Sequence, residues 1–570
     1  MSDRIDDYLK GPERPSSNRK NSLLAPFLYA LVLCVGLVIG YQIQQDYGSK
    51  LTPNRSKDDN PSKLVNIINK IDQMYVDSVQ KKELIDDAIR SIVENLDPHS
   101  YYISAEEIAA MQEPLEGNFE GIGVEFMIQK DTLLVVNPIE GGPSEEAGIK
   151  AGDRIITVEG ENVAGIGLTN DKVMRLLKGE KGTKVNLGIK RKGKEELIPF
   201  EIERDRIPIY SVVANINVTP EVGYVKVTRF AKNTYDEFTN AVDALVDQGA
   251  KKLIIDLRGN GGGYLNSCIP MVEEFLEKGQ LIVYTEGLND PRRDYKSTIN
   301  GKYRDMDVVV LINQGSASAS EIMAGALQDH DRSITVGRRS FGKGLVQNEV
   351  PLPDNSALRL TVARYYTPTG RSIQKPYGEG IDYDNDYFDR YDHGELLDAD
   401  SIQFSDSLKF VTPGGRVVYG GGGIMPEMFV PLDTVGGSAY LNELSYSGMF
   451  RTYGYEYAET NTNKKEQFSD VEALVERFDF SDAEMEDFYE AASNEGINKD
   501  LYGINRSEQV IKIRLLAQVA RNWFGEQAYY RVLLEDDTVY AKALEVIRNY
   551  DGYAVQDGQL NLLKSELLQH

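Results

Sequence analysis

The chain is poor in the residues that most often move protons in enzymes. Its 570 residues include four histidines, and none is placed for a Ser-His-Asp triad with the serines at 316–320. His330 stands twelve residues beyond Ser318, roughly 18 Å away along a continuous helix. His393 falls in an acidic stretch, His570 ends the chain, and His99 sits in the turn-like Leu96-Asp97-Pro98-His99-Ser100. Positive charge is also scarce, with 63 basic residues against 89 acidic and a net charge of −26. No concentrated basic patch stands out, so there is no counterion release to drive binding, and nucleic acid is excluded as a partner. Of the two cysteines, Cys34 lies in an apolar run and Cys268 far from it, which excludes a disulfide framework. No metal or cofactor is implied.

What is present begins with an uncharged run at 23–41, long enough to span a bilayer core at about 1.5 Å per residue. Arg19 and Lys20 precede it, which places 1–22 in the cytoplasm and exports the remainder. A cleavable signal peptide is the rival reading, but Gly40-Tyr41-Gln42-Ile43-Gln44 offers no small-x-small site. A lipid-modified Cys34 is disfavoured by the bulky Leu33 before it. The expected location is a bacterial inner membrane, crossed once, with the bulk of the chain on the periplasmic side. Residues 42–60 form a polar linker. From 61 to 115 the spacings Leu64, Ile68, Ile71, Tyr75 and Ile85, Ile89, Ile92, Leu96 are helical, and Ser104 with Glu107 makes a capping box.

Residues 118–205 alternate in strand fashion between glycine turns. Gly121-Ile122-Gly123-Val124 reads as a loop of free N–H groups leading into a strand. Such a loop can cap a peptide C-terminus while the strand edge accepts an added strand. Together with Ala147-Gly148 and Ala151-Gly152-Asp153-Arg154-Ile155, it resembles a PDZ domain. Lys178-Gly179 falls where related protease PDZ domains often carry arginine, so the charge is kept and the two-pronged fork is lost. From 206 to 434 the pattern is strand, helix, strand. It is interrupted at 375–413 by an acidic, tyrosine-rich stretch expected to be an irregular surface insertion. Residues 435–570 are mainly helical and carry no recognisable chemistry.

The chemistry concentrates at two motifs. A strand at 308–312 opens through Asn313-Gln314-Gly315 into Ser316-Ala317-Ser318-Ala319-Ser320-Glu321 and a helix. There a serine hydroxyl can stand exposed beside unpaired amides, although serines in such places also merely cap helices. The second motif is Phe341-Gly342-Lys343-Gly344-Leu345-Val346-Gln347. A solvated lysine is unprotonated only about once in two thousand at neutral pH, and burial is what turns it into a base. Gln347, four residues on, would share a strand face with Lys343 and hold its amine in line. Gly337 to Gly344 comes one residue short of a phosphate-binding loop, because Gly344 replaces the magnesium-holding hydroxyl residue. Gly259-Asn260-Gly261-Gly262-Gly263 fails the dinucleotide pattern at Tyr264, but its amides could stabilise an oxyanion with that of Ala319.

Taken in order, 96–100, the PDZ stretch, 256–263, 315–321 and 341–347 resemble the C-terminal processing peptidases, tail-specific serine proteases that use a Ser-Lys dyad. The resemblance covers roughly 61–434. It implies an α/β core like those of crotonase and the Clp peptidase, with the PDZ domain inserted. It implies Ser318 as nucleophile, Lys343 as base, Gln347 as its orienting partner, and Gly263 and Ala319 as the oxyanion hole. The implied substrates are exported proteins with exposed C-terminal tails. A class-distinct alternative is an inactive PDZ adaptor that binds tails without cutting them. The extension after 435 is left as a surface for self-association or for an adaptor protein.

Overall fold

The computed structural model describes residues 62–139, 141–402 and 405–563. The expected span at 23–41, the segments 1–22 and 42–60, and Cys34 lie outside the described residues. Among the described residues no helix is long and apolar enough to cross a membrane. The chain divides into two compact units, 1–88 and 89–570. The described part of the first holds the Ser62–Met74 helix and the start of the Lys81–Glu94 helix.

In the second unit, a six-stranded sheet runs in the order Val212–Thr219, Val222–Val227, Lys252–Asp256, Asp307–Ile312, Ile334–Gly337 and Met428–Phe429. The first pair is antiparallel and the rest are parallel. Unbroken apolar runs such as 308–312 suit strands buried on both faces. One face carries the helices Thr234–Asp247, Leu265–Glu273 and Ala319–Asp329, packed through Phe238, Met271 and Met323. The last of these is buried at every position, which is why it lacks a polar stripe. The other face is covered by the C-terminal Thr538–Arg548 helix, whose Val539, Ala543, Val546 and Ile547 meet Tyr224, Ile254 and Val309.

A second sheet stands over the site. Tyr101–Ile103, Ala357–Tyr366, Leu281–Glu286 and Arg293–Lys296 pair in that order, and Leu345–Pro351 joins the Ala357–Tyr366 strand. The region read as helical at 61–115 therefore also contributes a strand. The PDZ sheet has the order Val124–Gln129, Thr132–Pro138, Arg154–Val158, Lys184–Lys190, Ile198–Glu203, leaving Val124–Gln129 at an edge. Its outer face meets the helical extension, where Tyr455 of the Met449–Thr460 helix packs on Met127, Leu134 and Val136.

Two expectations need refinement. The stretch 375–413 is largely irregular, as expected, but it also holds the Asp386–Asp392 helix and the buried pair Arg390–Glu395 at 2.7 Å. Arg390 also donates to the carbonyls of Ser340 (3.1 Å) and Arg339 (2.8 Å), so its charge serves to fasten the segment to the core. A hairpin brings Lys190, Arg191, Lys192 and Lys194 beside Lys150 and Arg154, lining a cleft of about 580 Å³ against the Met449–Thr460 helix, but Asp153, Glu456 and Glu459 line the same cleft and Arg191 is paired with Asp153.

Candidate active site

The Asp307–Ile312 strand ends in a turn stitched to the neighbouring glycine loop. Asn313 Oδ1 accepts from the amides of Gly259 (2.9 Å) and Gly315 (3.0 Å). Ser316 Oγ donates to Leu257 O at 2.8 Å, and Ser320 Oγ donates to Asn260 O, also at 2.8 Å. The flanking serines are thus straps. Ser318 between them is held at φ +56° and ψ −116°, a conformation that costs a non-glycine residue about 1–3 kcal/mol. It lies at the N-terminus of the Ala319–Asp329 helix.

The glycine run is demanded by proximity. A Cβ on Gly262 (φ +98°) would come 2.7 Å from Ser318 Cβ, and one on Gly263 (φ +146°) would come 2.2 Å from Phe230 O. Phe230 N donates to Gly262 O (2.9 Å) and Tyr264 N to Phe230 O (2.7 Å), a parallel bridge that leaves the Gly263 amide out. Gly263 N and Ala319 N donate to no acceptor among the described residues. Asn260 ties the two loops, its carbonyl accepting from Ala317 N at 3.0 Å and its Oδ1 from Gly262 N at 2.9 Å.

Glu321 joins the serine loop to the lysine loop. Its Oε2 accepts from the amides of Ser318 (2.9 Å) and Lys343 (2.8 Å), so those nitrogens lie within 5.7 Å of each other. Its Oε1 accepts from Ser340 Oγ (2.5 Å) and Gly342 N (2.7 Å). Burial pushes its carboxyl up to about 7 against the pull of these four donors. The Tyr365 hydroxyl reaches the carbonyls of both Ser318 (3.2 Å) and Lys343.

Burial, then nearby Arg359, lowers the Lys343 amine below its usual value, while Asp97 and Glu321 oppose the shift. The amine forms no hydrogen bond or ion pair among the described residues, and it is not hydrogen-bonded to the Ser318 hydroxyl in this conformation. Catalytic bonds of this kind commonly tighten only with substrate in place. His99 is brought close to Lys343, and burial first, then that lysine when it is protonated, lowers the imidazole to about 4. Its Nε2 lies 2.9 Å from the hydroxyl of Tyr383, a residue of the acidic segment. Tyr383 also stands edge-on to Phe341, and the almost fully buried Lys375 amine lies 3.9 Å from the centre of the Tyr383 ring and 4.1 Å from that of Phe341. The segment read as a surface insertion therefore forms part of the wall beside the lysine loop.

Gln347 is placed differently from its sequence reading. Lys343 precedes the Leu345–Pro351 strand, and a register shift between Val346 and Gln347 breaks the alternation that would align their side chains. Gln347 Nε2 instead donates to Thr361 Oγ1 at 3.3 Å, which donates to Asp97 Oδ1 at 2.9 Å. Asp97 also accepts from Ser100 Oγ at 2.6 Å. The motif at 96–100 is a turn, as expected, but one seated against the site.

Ser318, Gly263, Ala319 and Gln347 line a cavity of about 180 Å³, whose other walls are mainly apolar, including Val283 and Ile322, with Thr285 and two tyrosines among them. Through Tyr264, Leu265 and Val346 it continues into a cleft of about 700 Å³.

In the PDZ domain Gly121 ends a strand, Ile122 is buried, Gly123 has φ +73° and Val124 begins the edge strand. The Gly123 amide donates to no acceptor among the described residues, while the Gly121–Lys178 bridge turns the Ile122 amide toward Leu177 O. A two-residue turn at Lys130 and Asp131, both at positive φ, makes Gln129 and Thr132 a hydrogen-bonded pair, so Phe126 turns its carbonyl to the open edge. There Arg451 of the extension donates to it at 3.1 Å and to Glu125 Oε1 at 2.8 Å. Lys178 pairs with Glu113.

Sequence reasoning missed Glu321, Tyr365, Asn260 and Thr361. Only Glu321 left a signal, as the acidic third residue of a helix opened by Ser318.

A peptidase family S41 model matches residues 221–387, a PDZ domain model matches 121–202, and a family of unknown function matches 440–525. The chain is 38% identical over 314 residues to the carboxy-terminal-processing protease of Bartonella bacilliformis, covering 54% of this chain and 71% of that protein. It is 36% identical over 331 residues to the carboxy-terminal processing protease CtpA of Bacillus subtilis, covering 57% and 70%. Among solved structures, the photosystem II D1 C-terminal processing protease is 30% identical, with 55% of this chain and 91% of that chain covered at a TM-score of 0.32.

Proposed function

The chain belongs to the carboxy-terminal processing proteases, PDZ-bearing serine peptidases of family S41, and from that premise we propose a Ser-Lys mechanism at Ser318 and Lys343. Neutral Lys343 Nζ takes the proton of Ser318 Oγ as that oxygen attacks a peptide carbonyl carbon. The developing oxyanion accepts from Gly263 N and Ala319 N. The protonated lysine then gives its proton to the departing amine nitrogen as the C–N bond breaks, and water hydrolyses the acyl-enzyme. Gln347 orients the lysine after the strand start at Leu345 adjusts, or acts through Thr361 and Asp97. The observation that carries this reading is the Glu321 carboxylate, which holds both loops on one oxygen beside two unengaged amides.

The cavity beside Ser318 takes one apolar substrate side chain, and the wider cleft takes the flanking residues. The PDZ loop Gly121-Ile122-Gly123-Val124 receives a C-terminal carboxylate while the substrate tail adds along the Val124–Gln129 edge, displacing Arg451 from Phe126 O. Residues 23–41 anchor the chain in a bacterial inner membrane with the peptidase on the periplasmic side. The outward face of the helical extension serves self-association or an adaptor protein.

The test is cleavage of an unfolded polypeptide bearing an apolar C-terminus. Ser318→Ala and Lys343→Ala should each lower kcat by about 10⁴-fold or more. Turnover within tenfold of wild type by either variant would discard the dyad.

A further inference from the structure

Asp537, in the C-terminal extension, caps the Thr538–Arg548 helix by accepting from Tyr540 N at 2.9 Å. A cap needs one oxygen and no charge, and asparagine performs it about as well. Yet both oxygens of Asp537 are also aligned on one guanidinium, receiving Arg258 Nη1 at 2.8 Å and Nη2 at 2.6 Å. Such a paired fork fixes direction as well as distance, which a single contact does not.

Arg258 is the residue from which the glycine loop departs. Its Nε and Nη2 also donate to Asp256 at 3.0 and 2.7 Å, and its own amide donates there at 2.9 Å. Asp256 is fully buried at the end of the Lys252–Asp256 strand and accepts in addition from the Tyr224 hydroxyl at 2.7 Å. The guanidinium is therefore stretched between a fixed carboxylate of the core and a second one supplied by the extension. Two residues on, Asn260 binds the serine turn through its carbonyl and the glycines through its side chain. Arg258 thus stands five residues before Gly263 on the same loop.

We propose that Asp537 is a positioning residue for the peptidase reaction: by fixing Arg258 it aligns the Gly263 amide with that of Ala319, so that the C-terminal extension completes the oxyanion site. This rests on the Ser-Lys reading. It gives residues beyond the protease core a part in the chemistry, separate from the apolar cover that Val539, Val546 and Ile547 provide.

The experiment uses the full chain with Asp537→Asn and Asp537→Ser, both of which keep a capping oxygen and remove the charge. The expected result is a fall in kcat of about tenfold, smaller than for deleting an oxyanion donor outright, with KM within about twofold. The rate of covalent labelling of Ser318 by a fluorophosphonate should fall in parallel, Tm should stay within a few degrees, and Asp537→Glu should recover part of kcat. Unchanged kcat in both neutral variants would overturn the proposal. A loss of kcat that follows loss of Tm across the three variants, regardless of charge, would overturn it as well. If wild type itself fails to cleave or label, the Ser-Lys reading falls instead.

Discussion

The junction between the Ser318 and Lys343 loops is held by one buried carboxylate with four donors from its own domain. The open edge of the Val124–Gln129 strand is met instead from the helical extension, by Arg451 on Phe126 O and Glu125 and by Arg521 on Glu125. Proton transfer between two side chains tolerates little misplacement, so the junction is overdetermined. Recognition of a tail needs groups that can exchange partners, so the edge carries a half-exposed arginine and the unengaged Gly123 amide. Rigidity and availability are thus separated into different domains of one chain.

The largest expected effect comes from breaking the junction. Glu321→Gln leaves one carbonyl oxygen where four donors require two, and its NH₂ would face either the Ser318 and Lys343 amides or the Ser340 hydroxyl and the Gly342 amide. We expect kcat to fall about 100-fold, read by steady-state cleavage, with peptide binding to the PDZ domain unchanged. A loss confined to binding would reverse the assignment of roles.

The same carboxylate sets a pH dependence. Its folded-state value of about 7 lies above the ordinary 4.5, so the folded protein holds the proton more tightly than the unfolded chain. That contribution is complete below about pH 4.5 and is lost as pH rises through about 7. Wild type should lose about 3 kcal/mol relative to Glu321→Gln across that window, measured by denaturant unfolding at a series of pH values. An unchanged difference would mean that Glu321 is ionised throughout.

At the edge, Arg451→Ala frees Phe126 O and should tighten binding of a C-terminal peptide by about two- to fivefold, measured by calorimetry on the full chain, with kcat unaltered. Weaker binding would show the arginine to be part of the peptide site. The smallest effect is expected of Tyr383→Phe, which removes the contact to His99 while keeping the ring beside Phe341 and Lys375. A reduction of about twofold in kcat is expected.

The two regions were unequally legible in the sequence. Ser318 and Lys343 stand in short motifs whose glycines are required by contacts a few residues away in space, and such local constraints leave local marks. The strand, helix, strand alternation of the core was likewise legible, whereas the parallel pairing of its strands is a finding of the structure. Glu321 resembled an ordinary capping residue because its other partners, at 340, 342 and 343, come from a different loop. Gln347 was aligned with Lys343 by strand alternation, which a bulge does not respect. The acidic segment read as a surface insertion because its buried charges, Arg390 and Glu395, are satisfied by each other and by the core rather than by solvent. Arg451 and Phe126 are 325 residues apart, and nothing in either local sequence announces their contact.

The account depends most on an unprotonated Lys343 serving Ser318. The direct measurement is the rate of fluorophosphonate labelling of Ser318 as a function of pH, in wild type and in Lys343→Ala. Wild-type labelling should rise with pH through a single ionisation clearly below 10.5, and the variant should lose both the rate and that ionisation. Equal rates and profiles in the two proteins would contradict it.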